Sequence, residues 1–282
     1  MKVASLMKQY LWTLDGGRLS CQSGENTINW LFLPGGPGLG SEAIAGLTEL
    51  LKNKIPGTIW HLDLPNDGSN ILKDKPIAKL HHSILQATSA FEKVILVAHS
   101  TPGMYVQTMP ELENILAGLV LIGTAPDSSW QEPFVEYCKN HTDDFILKAE
   151  EKYANSPDDE SLKQLLVACA KYCFINERSL CEGKALFEKL PINNTAHMQS
   201  SELFDSKKYK ATWVPQKTPT LIITGSHDHI TPISHFKNNT LYQRNNILIK
   251  EIADAGHYPW FENPKEIIDS FEYFSRKFST HK

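Results

Sequence analysis

Val94-Ile-Leu-Val-Ala-His-Ser-Thr-Pro-Gly-Met104 is the stretch on which the reading of this chain turns. Its first part, Val94–Ala98, is a continuous apolar run rich in β-branched side chains. Such a run suits a central parallel strand covered on both faces. It leads into Ser100, then Thr101, Pro102 and Gly103, and then into a predicted helix. A strand that turns sharply into a helix at a serine presents the hydroxyl on a strained bend, where close neighbours must be small. The helix directs the positive end of its dipole at developing negative charge, and the Thr101 backbone N–H can donate to an oxyanion. Ser100 is therefore the candidate nucleophile.

Around this segment, apolar runs alternate with helical patterns. Tyr10–Leu14 and Arg18–Gln22 flank Asp15-Gly16-Gly17 and read as a hairpin. Trp30–Leu33 and Thr58–Leu62 read as strands, with a helix over Ser41–Lys54 between them, where Ile44, Leu47 and Leu51 share a face. A helix is predicted over Ile77–Phe91, and further strands over Leu119–Gly123, Leu221–Gly225 and, more weakly, Ile247–Ile252. Alternation of this kind predicts a mostly parallel sheet flanked by helices. It breaks between about Ser128 and Lys210, where no β run occurs. There Ser156-Pro157-Asp158-Asp159 reads as a helix start, with Ser156 placed to cap and Pro157 in the first turn, and a second helix is predicted around Glu177–Leu190. This gives a core of residues 1–127 and 211–282 and a helical lid inserted at 128–210.

Composition narrows the function class. With 282 residues, 41% of them hydrophobic, the chain can bury a full core. The formal net charge of −4 and the lack of a basic tract predict no nucleic-acid partner. No window approaches the ~20 apolar residues needed to span a bilayer, and Met1–Tyr10 shows no signal-peptide pattern. Five cysteines (21, 138, 169, 173 and 181) without a CxxC argue against a disulfide framework and for a reducing cytoplasm. Cys169 and Cys173 read as small buried side chains. No Gly-rich phosphate loop or nucleotide motif is present, so no cofactor is expected. Nothing in one sequence specifies an oligomeric state.

The segment around Ser100 resembles the nucleophile elbow of the α/β-hydrolase family, in its lid-bearing branch of prolyl aminopeptidases and related esterases. That elbow is usually Gly-x-Ser-x-Gly; Ala98 and Pro102 stand at its two glycine positions. Pro102 disfavours α geometry at Thr101. Leu33-Pro-Gly-Gly-Pro-Gly38 is similar to the His-Gly-Gly-Pro-Gly loop of prolyl aminopeptidases, with Pro34 in place of the His. The resemblance implies an oxyanion hole built from the amides of Thr101 and Gly36, with Gly35 next. Asp63-Leu-Pro-Asn-Asp-Gly-Ser69 resembles a family loop of architectural role.

Thr224-Gly-Ser-His-Asp-His-Ile-Thr-Pro232 resembles the acid loop, which would make Asp228 the acid of a triad. Asp127 is a competing acid, because some relatives carry it after the preceding strand. His227 and His229 flank Asp228, but no further His or Cys completes a metal-ligand spacing, and no metal is expected. Ala253-Asp-Ala-Gly-His-Tyr-Pro-Trp-Phe-Glu-Asn-Pro264 matches the family's His loop, Gly-His-x-Pro-x-x-Glu-x-Pro, and implies His257 as the base. Ser100, Asp228, His257 is the family's chain order.

The resemblance implies a serine hydrolase acting on a small ester or acyl substrate through an acyl-enzyme. A prolyl-type aminopeptidase acting on a short peptide is the alternative; it would need lid acids for the substrate ammonium, and Glu132, Glu136, Asp143 and Asp144 are available. Trp130, Phe134, Tyr137, Phe145, Tyr153, Tyr172 and Phe174 supply either an apolar pocket or the lid's own core. The fold also hosts proteins that bind ligands without catalysis. Pro34 and Pro102, both beside the expected oxyanion hole, point toward that reading, and the retained acid and base point away from it.

Overall fold

The computed structural model describes residues 10–24, 28–72, 80–204 and 206–278. Residues 1–9, read above for a targeting signal, and 77–79, the start of one predicted helix, lie outside them. The strands are β1 (Tyr10–Trp12), β2 (Arg18–Ser23), β3 (Asn29–Leu33), β4 (Thr58–Asp63), β5 (Val94–His99), β6 (Leu116–Ile122), β7 (Thr220–Gly225) and β8 (Ile247–Ile252). Among the described residues these eight form one sheet in the order β1-β2-β4-β3-β5-β6-β7-β8. β1 and β2 form the predicted antiparallel hairpin, and β2 runs antiparallel to β4. From β4 to β8 all pairings are parallel.

Every residue of β5 is buried, as its apolar run requires. Ile95 and Val97 pack on one face, with Leu47 and Leu51 of α1 (Ala45–Leu51) and with Phe271 and Phe274 of the helix Pro264–Ser275. Val94, Leu96 and Ala98 pack on the other, with Ile84 and Ala87 of α2 (Leu80–Ser89) and Tyr105 and Val106 of α3 (Thr101–Val106). β6 begins three residues earlier than its sequence pattern suggests and stops before Gly123, whose φ of 51° cannot continue a strand.

Residues between β6 and β7 form helices α4 (Gln131–His141), α5 (Asp144–Asn155), α6 (Asp159–Ala168), α7 (Glu177–Lys189) and α8 (Asn194–Leu203). Side-chain caps start four of them. Asp143 accepts from the Phe145 and Ile146 amides, Asn176 from Ser179 and Asn193 from Ala196. The α6 start differs from the sequence reading: Asp158, not Ser156, is the cap. Its carboxylate accepts the Ser161 amide at 2.7 Å while Ser161 Oγ accepts the Asp158 amide at 3.0 Å. This reciprocal pair satisfies two end donors at once, which a lone Ser156 could not. No helix among the described residues is long and apolar enough to cross a membrane.

The chain returns from these helices to β7 through a turn held by Glu113. Its carboxylate accepts Trp213 Nε1–H (2.7 Å) and the amides of Gln216 (2.8 Å), Lys217 (2.8 Å) and Thr218 (3.0 Å). Partial burial would raise this carboxyl, but the donors outweigh it and hold it down at about 2. A carboxyl whose folded value lies below its ordinary 4.5 stabilises the fold above that pH and loses its contribution as pH falls toward 2. Glu113→Gln is therefore expected to melt below the native protein at neutral pH, with the gap narrowing below pH 4.5. Thermal melts across that range check this; a gap independent of pH would contradict it.

Candidate active site

The parallel strands end together on one side of the sheet. Leu33 pairs with Ala98, His99 with Ile122, Ile122 with Ile223 and Gly225 with Ile252. The loops that follow β3, β5, β7 and β8 therefore emerge side by side. The chain passes from β3 outward to β4 and then back across to β5, so the strand order reverses between β3 and β5. A crevice outside the carboxyl ends forms at such a reversal. The Gly35–Gly36 loop and Ser100 leave the sheet there.

Ser100 has φ 60° and ψ −132°, a strained conformation for a residue with a side chain. The strain is held from both sides. Its N–H donates to the Ile122 carbonyl at 2.8 Å, and its own carbonyl accepts the Gly103 amide at 2.9 Å. Gly103 is needed for closeness, since a Cβ there would lie 2.8 Å from Thr124 Oγ1. Pro102 sits within the first turn of α3, where its missing N–H has no intrahelical partner to lose. Thr101 is nonetheless the first residue of α3, so the strand–turn–helix connection overrides the local preference against α geometry before proline.

His257 and Asp228 reach Ser100 from the loops after β8 and β7. Nε2 of His257 lies 3.0 Å from Ser100 Oγ, and Nδ1 lies 2.8 Å from Asp228 Oδ2. The carboxylate accepts, so Nδ1 carries the proton and Nε2 is the acceptor facing the serine hydroxyl. Asp228 and His257 are 3% and 4% exposed, which shields their pairing from water. Asp228 also accepts the amides of Ile230 (2.9 Å) and Thr231 (3.0 Å) and the Thr231 hydroxyl (3.2 Å). Burial alone would raise its carboxyl; His257 and these donors outweigh burial and hold it below the usual carboxylate range.

The competing assignments fall elsewhere. Asp127 caps the turn Ser128–Trp130, accepting the Ser129 amide and hydroxyl, and is not the partner of His257. The His227 ring contacts Ser226 Oγ at 2.9 Å, and the His229 ring stacks on Tyr137 at 4.1 Å. Glu132, Glu136, Asp143 and Asp144 are all solvent-exposed, and Asp143 pairs with Lys171 at 2.7 Å. Several of the aromatics at 128–210 pack on one another: Phe134 and Tyr137 meet Tyr172 edge-on, and Phe174 stacks on Tyr258.

A family model described as the alpha/beta hydrolase family matches residues 30–270. The chain belongs to that family. No curated protein matches this hydrolase. Among solved structures it is similar to a proline iminopeptidase-related protein from Thermus thermophilus, with TM-score 0.73 and 17% identity over 96% of this chain and 98% of that one. A thermophilic esterase from Thermogutta terrifontis has TM-score 0.65 and 15% identity, over 97% and 100% of the two chains. The proline iminopeptidase of Mycobacterium smegmatis has TM-score 0.63 and 16% identity, over 96% and 98%. At these identities the likeness is one of fold.

Two residues beside the candidate site were not singled out in the sequence, although Asp67 lies in the Asp63–Ser69 loop. His99 is fully enclosed behind Ser100, within 5.0 Å of the His257, Tyr258 and Trp260 rings. Its Nε2–H donates to the His257 carbonyl at 3.1 Å. Burial, and then the neighbouring His257, push its ring down to about 3, so it stays neutral and holds that single donor orientation. A Cβ on Gly35 would lie 2.3 Å from His99 Nδ1, so the loop approaches this ring as only glycine allows. Asp67 is the second. It is buried and accepts the Gly38 amide at 2.9 Å, while the Gly68 amide donates to the Gly38 carbonyl at 3.1 Å. Burial drives the Asp67 carboxyl well above its usual range. His99 thus lies against the Gly35 end of this loop and Asp67 holds its Gly38 end.

Proposed function

We propose that this hydrolase is a serine esterase in which Ser100 attacks the carbonyl of a small carboxylic ester or acyl substrate. The observation that carries this reading is the unbroken relay from Asp228 through His257 to the strained Ser100. His257 takes the Ser100 proton as the hydroxyl attacks and returns it to the departing alcohol. Asp228 keeps the ring in the tautomer that can do this and stabilises the imidazolium. The amides of Thr101 and Gly36, with Gly35 beside them, receive the oxyanion, each worth about 2.7–4 kcal/mol in sites of this kind. Water then releases the acyl group from Ser100 by the same steps in reverse. Residues 128–210 serve as a lid over the strand ends, and the substrate is a small molecule that enters beneath it.

Ester cleavage is favoured over a prolyl-type aminopeptidase by the exposure of Glu132, Glu136, Asp143 and Asp144, which leaves the ammonium of a peptide substrate without a sheltered counter-charge from this set. A binding protein without catalysis has no use for a serine held in strain against a polarised histidine. Assays with p-nitrophenyl acetate, butyrate and octanoate beside prolyl-naphthylamide test the choice. The short esters are expected to give the higher kcat/KM; preference for the amide would reverse the assignment.

A further inference from the structure

Glu262 belongs to the loop that carries His257, and the Ser100–His257–Asp228 relay makes no use of it. Its carboxylate joins two parts of the chain. One oxygen accepts the Gly256 amide at 2.6 Å, immediately before the base. The other accepts the Ile175 amide (2.7 Å), the Asn176 amide (3.4 Å), Asn176 Nδ2–H (3.2 Å) and the Ser179 hydroxyl (2.6 Å), all at the entrance to α7. Every partner is a neutral donor, and both oxygens are engaged at once.

The same entrance touches the base directly. The His257 amide donates to the Cys173 carbonyl at 2.9 Å, so the backbone amides of both Gly256 and His257 are fixed by this joint. A Cβ on Gly256 would lie 2.5 Å from that carbonyl oxygen, so the contact has no slack. Phe174 stacks on Tyr258 at 5.3 Å from the other side. A helix cap alone does not explain Glu262, because Asn176 already caps α7 through the Ser179 amide at 2.9 Å. What Glu262 adds is a rigid link from α7 to the residue preceding His257.

We propose that Glu262 is a positioning residue: it transmits the placement of the 173–179 segment to the His257 imidazole, so that the inserted helices set the geometry of the base. This rests on His257 being the base. A carboxylate is required, because the amide of a glutamine would turn a donor toward either Gly256 or the α7 entrance. Aspartate, one methylene shorter, would have to give up one side.

The test compares native protein, Glu262→Gln, Glu262→Asp and Ser179→Ala on a p-nitrophenyl ester, below the melting temperature of each. Displacing the base by a fraction of an ångström to 1 Å predicts a kcat loss of up to about 100-fold for Glu262→Gln, with KM nearly unchanged. The acid limb of its pH profile should shift as well. Ser179→Ala, which touches only the α7 side, should lose kcat a few-fold, and adding it to Glu262→Gln should cost nothing further. Native kcat and pH profile in Glu262→Gln, with only a lower Tm, would overturn the proposal. If that variant does not fold, native kcat in Ser179→Ala overturns it. His257→Ala, assayed in parallel, separates this from the parent reading: if it retains native activity, His257 is not the base.

Discussion

Replacing Ser100 with alanine is expected to remove roughly 10⁶-fold of kcat, as removal of the nucleophile does in other serine hydrolases, while the fold stays intact. Both halves of that expectation come from the local geometry. The hydroxyl oxygen is the atom at 3.0 Å from His257 Nε2, and no other side chain among the described residues is hydrogen-bonded there. The backbone bonds that hold the bend, Ser100 N–H to Ile122 and Gly103 N–H to Ser100, do not involve the side chain. Alanine keeps the Cβ and hence the same strain at φ 60°. Glycine adopts that backbone without steric strain, a relief that outweighs its greater loss of chain entropy, so Ser100→Gly should be equally inactive yet melt at or above the native temperature. Turnover within a hundredfold of native in Ser100→Ala, measured with circular dichroism to confirm folding, would remove the serine from the mechanism.

Asp228→Asn carries the second largest effect, a loss of about 10⁴-fold in kcat with little change in substrate binding. The isosteric amide can still receive the Ile230 and Thr231 amides through its oxygen. Its NH₂ then faces His257 Nδ1, where the carboxylate oxygen sat at 2.8 Å. The ring must answer with a lone pair at Nδ1, which puts the proton on Nε2 and takes away the base that Ser100 needs. The native carboxyl is held below its usual range, so its contribution is complete above its ordinary 3.8 and lost only as pH falls through the lower folded value. A near-native kcat in Asp228→Asn would show that Asp228 neither sets the tautomer nor stabilises the imidazolium. Asp127→Asn is the control: Asp127 is bonded to Ser129 and should leave kcat unchanged.

The sheet and the relay are legible in the sequence because each rests on a local signal. Val94–Ala98 reads as a buried central strand from its composition alone, Ser100 from the bend that follows it, and Asp228 and His257 from the resemblance of their short loops to those of the hydrolase family. What the sequence does not disclose depends on contacts between distant segments. His99 is one residue from the nucleophile, yet its bond is to His257, 158 positions away. Asp67 matters through Gly38 and Glu262 through Ile175 and Ser179, pairings that no periodicity or spacing encodes. The cap of α6 lies two residues beyond its sequence reading because Ser156 and Asp158 both suit a cap, and only the reciprocal bond with Ser161 distinguishes them. Pro102 carries the opposite lesson. A rule about the residue before proline speaks against Thr101 in a helix, and the bonds that close the bend around Ser100 prevail over it.

Mapping of a fluorophosphonate adduct on the native protein tests the assignment of Ser100 most directly, since the probe reports an activated serine whatever the natural substrate. One equivalent of probe should be incorporated, peptide mass analysis should place it on Ser100, and labelling should disappear in Ser100→Ala and fall sharply in His257→Ala. A folded native protein that takes up no probe, or takes it up at another serine, would contradict the assignment.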